Sequence, residues 1–345
     1  MKKFTKILSV VLCLALVLTA FAACGGKEDA TTAAGDTSAP AATDTDKTYT
    51  VGICQLVQHE ALDAATKGFK EALVEKLGDK VTFDEQNASG DIPTCSTIVN
   101  KFVSSKKVDL IMANATPALQ AAAAATSTIP IVGTSVTDYA TALEMDVDSW
   151  TGKTGINVTG VSDCAPLDEQ AEMILTLVPD AKTVGIIYCS GEANSKFQVN
   201  AVKAYLEDKG ITVNEYPFAD SNDIATVVTK AVSECDALYS PTDNKVADNT
   251  EVVNNIAEPA GIPLIAGEEG ICKGCGVATF SPSYYDIGYQ AGEMAYEILV
   301  NGTNAGDIEI GYCKEPVKEY VKDRAEALGI TIPEDYKEIV VEAGK

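Results

Sequence analysis

Residues Thr50 to Phe83 read TVGICQLVQHEALDAATKGFKEALVEKLGDKVTF, and almost the same plan returns at Thr183 to Val213 as TVGIIYCSGEANSKFQVNAVKAYLEDKGITV. Each copy opens with a short β-branched run that predicts a buried strand, followed by a polar loop and an amphipathic helix. Gly78 and Gly210 end the two predicted helices at matching places, where the backbone must turn left-handed. The chain therefore repeats one unit of strand and helix.

The repeat extends beyond these units. Ile129-Pro130 and Ile262-Pro263 stand 133 residues apart, as do the two TVGI strands, and VDLIMANATP from Val108 parallels CDALYSPTDN from Cys235. Two copies of a strand and helix alternation predict an α/β protein with two doubly wound parallel-sheet lobes. Ligands bind outside the carboxyl ends of the strands in such sheets. We therefore expect a ligand in the cleft between the lobes.

The first residues have the pattern of an export signal. Three lysines precede an apolar run from Ile7 to Ala23, which is too short and wrongly flanked for a lasting membrane span. This predicts a signal peptide at residues 1–23. The FAAC sequence that ends at Cys24 resembles a bacterial lipobox, which implies acylation of that cysteine; a plain secreted protein cleaved nearby is the alternative. Residues 24–47 are rich in Ala, Thr, Asp and Gly, so they predict a disordered, lipid-anchored linker.

The charge of the chain excludes one class of partner. Its 345 residues carry a formal net charge of -24, and loss of the three lysines in the signal peptide takes this from -24 to -27. Such an acidic surface repels nucleic acid and anionic lipid headgroups. We therefore expect no nucleic-acid partner, and any attachment to the membrane must come from the lipid.

Few residues have the chemistry that catalysis needs. His59 is the only histidine, and although Cys54 lies five residues before it, no third residue completes a nucleophilic arrangement. The chain contains no phosphate-binding GxxxxGK[ST] loop, no GxGxxG turn after a strand and no GxSxG nucleophile elbow. Arg324 is the only arginine, which disfavours phosphate, sulfonate and dicarboxylate ligands. We expect neither an enzyme nor a cofactor.

The cysteines offer one motif. Cys272 and Cys275 form a single CxxC, without a second pair or a nearby histidine, so we expect no metal site. The pair is either a local disulfide or two free thiols.

Polar side chains at the predicted strand ends form the candidate ligand site. The first lobe contributes hydroxyls and amides and the second contributes carboxylates, an asymmetry that suits a zwitterion. His59 is interpreted as a hydrogen-bonding or stacking wall, the alternative being an ordinary surface histidine. The candidate ligand-binding residues are Gln55, His59, Asn114, Thr116, Thr134, Ser135, Ser190, Glu192, Asn194, Asp243 and Glu268.

The two charged ends of a zwitterion are assigned to opposite lobes. Thr116 is predicted to cap the helix that starts at Pro117, and hydroxyls with N–H groups at a helix N-terminus suit a carboxylate. Asp243, followed by Glu192, is the preferred partner for an ammonium. The alternative for each acid is that it caps a helix or lies in water.

Several stretches together resemble the tryptophan/phenylalanine-binding family of ABC transporter substrate-binding lipoproteins. They are GICQLVQHEALDAATKGFKEAL, NATPALQA, INVTGVSD, YCSGEANS, YSPTDN and YYDIGYQAGEMAYEIL, and they span the chain from Lys47 to about Ile332. The resemblance implies the type I periplasmic-binding-protein fold, with a hinged cleft and chain crossovers between lobes. We place the lobes at residues 48–160 plus 281–305 and 161–280 plus 306–345.

The resemblance also implies partners. They are an amino acid, often aromatic, and an ABC permease with its ATPase. We expect a monomer, lipid-anchored on the extracytoplasmic face of the cell membrane. A receptor for a nucleoside or another small polar metabolite on the same fold is the alternative.

Overall fold

The computed structural model describes residues 47–313 and 315–341. The predicted signal peptide, Cys24 and all but the last residue of the predicted linker lie outside these residues. Within them, no helix combines the length and apolarity needed to cross a membrane.

Strands and helices alternate along the chain, as the repeat predicts. Up to the first crossing between lobes the elements are β1 (Tyr49–Gln55), α1 (Glu60–Leu77), β2 (Val81–Asn87), α2 (Ile92–Ser105), β3 (Leu110–Asn114), α3 (Thr116–Ala125), β4 (Ile131–Val136), α4 (Tyr139–Ala142) and β5 (Val158–Ser162). The second lobe follows with α5 (Leu167–Leu177), β6 (Thr183–Cys189), α6 (Ala193–Asp208), β7 (Thr212–Phe218), α7 (Ile224–Glu234), β8 (Ala237–Ser240), α8 (Asn244–Ala247), α9 (Thr250–Ala260), β9 (Leu264–Ala266), α10 (Glu269–Cys275) and β10 (Ala278–Ser281). The chain ends with α11 (Tyr284–Asn301), β11 (Gly311–Tyr312), β12 (Val317–Tyr320), α12 (Lys322–Ala327) and β13 (Lys337–Glu338).

The two sheets have the same internal strand order. The first runs β11-β5-β4-β3-β1-β2 and the second β13-β12-β10-β9-β8-β6-β7. Their shared part is parallel, and only β12 pairs antiparallel, with β10. The predicted α/β class with two doubly wound parallel lobes is confirmed. The 133-residue repeat places β1 and β6 at equivalent positions in the two sheets.

Apolar side chains cover both faces of each sheet. In the first lobe, Phe102 and Leu119 lie in the core under α2 and α3, while Phe69 and Ile287 lie in the core under α1 and α11. The second lobe likewise has one core beneath α7, α9 and α10 and another beneath α5 and α6. Burial on both faces explains why these strands read as continuous apolar runs rather than alternating ones.

The lobe boundaries differ from the expected ones at two places. The first sheet keeps β5 through Ser162, because the strand continues to pair with β4 past residue 160. Residues 311–312, expected in the second lobe, form β11 and pair with β5 at the edge of the first sheet. The outer edge of β5 offers unpaired backbone groups to a nearby segment, and β11 pairs with them.

Helices α1 and α11 pack unusually closely in the first lobe. A Cβ atom added at Gly288 would collide with the carbonyl oxygen of Ala65, and one at Gly68 would collide with that of Tyr285. At Gly292 it would approach the backbone of Phe69. Glycine at these three positions lets the two backbones touch, so α11 is fixed to the first lobe directly after the chain leaves the second.

Candidate ligand-binding site

The two lobes are closed on each other. His59 Nε2 lies 3.2 Å from Asn244 Oδ1 across the cleft, and Lys273 pairs with Glu60. Gln198 Nε2 donates to the Thr137 hydroxyl at 3.2 Å. These contacts join α1 and the end of β4 to three helices of the second lobe.

A small cavity lies between the lobes, with a water-accessible volume of about 10 Å³. That is the room of about one water molecule and far below the range of about 300–1,000 Å³ found for small-ligand pockets, so the lobes must separate to admit a solute. It is lined by His59, Leu62, Ser135, Asp163, Asn194, Thr242, Asp243, Asn244, Ala247, Glu268 and Tyr284. Five of the sequence-predicted residues, namely His59, Ser135, Asn194, Asp243 and Glu268, therefore share one cavity.

An irregularity in β4 brings Ser135 to the cavity. The register between β4 and β5 shifts between Gly133 and Val136, and Ser135 has a φ of 56°. A bulge of this kind re-aims a side chain, and a left-handed non-glycine residue is strained. Ala115, at the end of the adjacent strand, has a φ of 91°. Strain at two neighbouring strand ends is typical of a ligand site.

Four residues that line the cavity, namely His59, Ser135, Asp163 and Asn194, have a buried polar atom without a partner. Within residues 47–313 and 315–341, eight buried side-chain atoms have no hydrogen-bond partner. They belong to His59, Asn114, Thr116, Thr134, Ser135, Asp163, Asn194 and Thr279. An unpaired buried polar group costs about 1–3 kcal/mol, so a cluster of them indicates a site completed by another molecule.

The hydroxyls of the first lobe lie at the N-terminus of α3. Thr116 is the first residue of this helix rather than its predicted cap, since Ala115 with its unusual backbone precedes it. The Thr116 hydroxyl is therefore not used for capping and has no partner. Asn114 donates through Nδ2 to the Leu62 carbonyl at 2.8 Å, which leaves its Oδ1 unpaired. The Thr116 hydroxyl and the N–H groups at the start of α3 can receive an anion, whereas Asn114 Oδ1 is an acceptor and requires a donor.

Asp163 and Tyr284 were missed by the sequence interpretation. Asp163 directly follows β5, where the chain first crosses between lobes, and Tyr284 opens α11 after the second crossing. The Tyr284 hydroxyl donates to Asp163 Oδ2 at 2.9 Å, while Asp163 Oδ1 is buried without a partner. Burial raises the pKa of the Asp163 carboxyl, and hydrogen bonds from Tyr284 and Thr137 oppose this shift. An ammonium group would both pair with the free oxygen and offset the cost of the buried charge.

Asp243 is extensively hydrogen-bonded within its own lobe. Its Oδ2 accepts from the Cys189 N–H and the Ser195 hydroxyl, both at 2.6 Å, and its Oδ1 accepts from the Val246 N–H at 3.0 Å. Asp243 is the N-cap of α8 and links it to β6 and α6. Its carboxylate lines the cavity, but protein donors already occupy both oxygens.

Glu192 and Glu268 also bind backbone N–H groups. Glu268 caps α10 by accepting from the N–H groups of Gly270 at 2.6 Å and Ile271 at 2.5 Å, and burial raises its pKa to about 7. Glu192 accepts from the N–H groups of Asn244 and Lys245. Burial, together with the nearby charge of Asp243, raises the pKa of Glu192 to about 7.

Two other predicted residues turn away from the cavity. Gln55 uses its amide within the first lobe, donating to Asp63 Oδ1 at 2.7 Å and accepting from the Thr66 hydroxyl at 2.6 Å. The Ser190 hydroxyl donates to the Phe218 carbonyl at 3.1 Å. Strand-end position predicted their neighbourhood, but local partners determine where these side chains point.

The cysteines of residues 47–313 and 315–341 are free thiols, and Cys272 and Cys275 are both buried. Of the two alternatives for this CxxC, a local disulfide or two free thiols, the structure has the free thiols. In the same residues, no group of three or more His, Cys, Asp and Glu side chains is arranged to hold a metal ion.

The family model described as ABC transporter substrate binding protein matches residues 50–345. The chain belongs to this family. Substrate-binding proteins of the family take up a small-molecule ligand, work with an ABC permease and are extracytoplasmic. The family expected from the sequence, and its type I periplasmic-binding-protein fold, are confirmed.

Three relatives illustrate the similarity. A curated tyrosine-binding protein of Clostridioides difficile strain R20291 is 39% identical over 313 residues, covering 90% of this chain and 88% of the relative. A Streptococcus pneumoniae ABC domain solved in complex with L-Trp is 32% identical, covers 85% of this chain and 100% of its own, and superposes with a TM-score of 0.80. The ligand-free, open structure of a Clostridium difficile substrate-binding protein with adhesive properties is 38% identical over 85% of this chain and 100% of its own, with a TM-score of 0.64. The ligand complex superposes better despite its lower identity, in keeping with the closed lobes described above.

Proposed function

We propose that this protein binds an aromatic amino acid between its lobes and delivers it to an ABC permease. The cavity is lined by Asp163, whose Oδ1 is buried without a partner, and by Ser135, whose hydroxyl is also unpaired, and an α-amino acid offers an ammonium to the first and a carboxylate to the second. The relatives that bind tyrosine and L-Trp support an aromatic side chain. Asp163 Oδ1 is the single observation that carries the proposal, because a buried carboxylate oxygen requires a cationic or N–H donor.

The ammonium of the ligand is assigned to Asp163 and to Asn194. The amide of Asn194 donates to Glu192 Oε2 at 3.1 Å and to the Thr242 carbonyl at 3.0 Å, so its unpaired Oδ1 is available as an acceptor. The ligand carboxylate is assigned to the hydroxyls of Ser135 and Thr116 and to the N-terminus of α3. The acids of the second lobe, including Asp243, hold the loops that carry these groups.

We further propose that the protein acts as a monomer without enzymatic activity, acylated at Cys24 and anchored on the outer face of the membrane. The lipobox-like FAAC sequence and the polar segment after it support this anchoring.

A thermal-shift screen of the mature protein tests the proposed ligand class. A ligand at a hundredfold excess over its Kd adds about 2.7 kcal/mol to the stability of the bound form. For a chain of this size each kcal/mol raises the melting temperature by about 2–4 °C. We expect a shift with aromatic amino acids that is larger than with aliphatic ones and absent with nucleosides and sugars. A response confined to nucleosides would replace the proposed function with the alternative.

A further inference from the structure

His59 lies between the cavity and the open groove of the cleft. It precedes α1 and lines both the enclosed cavity and the open groove at the mouth of the cleft. Leu62, one turn further along α1, and Ala247, at the end of α8, line the same cavity. Asp163 and Tyr284 come instead from the two crossing segments between the lobes. His59 and Ala247 are therefore shared by the cavity and the open groove, whereas Asp163 and Tyr284 line the cavity alone.

The hydrogen bonds around His59 fix the orientation of Asn244. Glu192 Oε2 accepts from Asn244 Nδ2 at 2.6 Å and from the Asn244 N–H at 3.2 Å. Because N–H donors surround this carboxylate, the Nδ2 of Asn244 faces it and Oδ1 of Asn244 faces His59 Nε2.

This orientation determines which ring nitrogen carries the proton. Burial lowers the pKa of His59, so the imidazole is neutral at pH 7. A neutral imidazole has one N–H group, and the Asn244 oxygen requires it at Nε2. His59 Nδ1 is then an unprotonated acceptor, and it is buried without a partner.

We propose that His59 Nδ1 accepts a hydrogen bond from the side chain of the ligand, and that the site thereby selects tyrosine and tryptophan over phenylalanine. The inference rests on the proposed function and adds the identity of the side chain to it. A phenolic O–H or an indole N–H supplies the missing donor. Phenylalanine would leave Nδ1 unpaired, and a site built to bond a polar group rejects an analogue that lacks it.

The same contacts make the selection depend on lobe closure. His59 belongs to the first lobe, whereas Asn244 and Glu192 belong to the second. The acceptor at Nδ1 is therefore fixed only when the lobes meet, so a ligand with the matching donor stabilises the closed form more than one without it.

Calorimetric titration of the mature protein with L-tyrosine, L-tryptophan and L-phenylalanine tests this inference. We expect tyrosine or tryptophan to bind at least tenfold more tightly than phenylalanine. His59→Leu should reduce that ratio below threefold; because the substitution also removes the contact with Asn244 between the lobes, the ratio of affinities, not the absolute affinity, is the readout. His59 makes no side-chain cap on α1, so the substitution removes no helix cap. Gln58→Leu, at the exposed neighbouring position that does not line the cavity, is the control and should keep the ratio.

The single histidine also permits a direct reading of the ring. In protein labelled with ¹⁵N-histidine, we expect the tyrosine complex to contain only the Nε2-protonated tautomer, with Nδ1 as a hydrogen-bond acceptor. Equal affinities for all three amino acids, a preference that survives His59→Leu, or a protonated Nδ1 would each overturn the inference while the proposed function stands. If none of the three amino acids binds, the proposed function fails and the inference fails with it.

Discussion

Replacing Asp163 with asparagine isolates the charge of this side chain in the cavity. The substitution keeps the size of the side chain, and the asparagine oxygen can still accept from the Tyr284 hydroxyl, which now donates to Asp163 Oδ2 at 2.9 Å. The amide nitrogen then takes the place of Oδ1, so the ligand ammonium would face a donor instead of an acceptor.

The expected loss follows from burial. Asp163 is 3% exposed, so solvent does not screen its interaction with a ligand cation. Removing one member of a buried charged pair costs about 2–5 kcal/mol of binding, or roughly thirtyfold to several thousandfold in Kd. The ligand-free protein should respond in the opposite direction. Because burial raises the pKa of this carboxyl, its charge destabilises the empty fold, and the asparagine variant should melt at the same temperature or higher.

Titration calorimetry with the tightest amino acid, together with melting curves with and without it, measures both effects. We expect the wild-type protein to gain far more stability from the ligand than the Asp163→Asn variant does. Tyr284→Phe is the matched control, since it removes a neighbouring hydroxyl but keeps the charge, and it should weaken binding less. An Asp163→Asn variant that binds within threefold of wild type would refute the assignment of the ammonium.

Four further outcomes follow from the site and the sequence. Asp243→Asn should lower the melting temperature of the ligand-free protein, because the carboxylate accepts three hydrogen bonds within its lobe; normal melting with lost affinity in calorimetry would return the ammonium to this residue. Thr116→Val should weaken binding by about 0.5–1.5 kcal/mol, the value of one neutral hydrogen bond, and an unchanged Kd would separate this hydroxyl from the ligand. Cys24→Ala should leave the protein soluble or unprocessed in cell fractionation, and mature protein in the membrane fraction would contradict lipid anchoring. The ligand-free protein should become more stable as the pH falls from about 7 towards 4.5, because the buried Glu192 and Glu268 hold protons more tightly in the folded than in the unfolded state. A melting temperature that falls steadily through this range would show that these carboxylates are not destabilised by burial.

The sequence predicted the sheets well because their order follows from a repeat that needs no tertiary information. The strand ends also predicted the neighbourhood of the ligand, since parallel strands end at one edge and carry their loops there. His59, Ser135 and Asn194 line one cavity, so the loops that carry them lie together between the lobes.

The roles of the acids were not predictable in the same way. From the sequence, Asp243 and Glu268 cannot be distinguished from an acid that faces a ligand. Each of them caps a helix, and only the folded structure brings the N–H groups of that helix within reach. Asp163 was overlooked because it lies in a crossing segment, where no repeat pattern indicates a strand end. Its unpaired oxygen lies where the two crossing segments meet. These segments contribute Asp163 and Tyr284, which are 121 residues apart in the sequence.

The close packing of α1 and α11 gives residues outside the cleft control over its dimensions. Tyr284 begins α11 one turn before Gly288, and an α-helix transmits a displacement along its axis almost undiminished over such a distance. A methyl group at Gly288 would collide with the Ala65 carbonyl oxygen and force the two helices apart. We expect such a shift to disturb the hydrogen bond from the Tyr284 hydroxyl to Asp163. The spacing between α1 and α11, on the far side of the sheet, thus influences the position of Tyr284 at the cavity. A substitution at a glycine that does not contact the solute could therefore change which solute the protein binds.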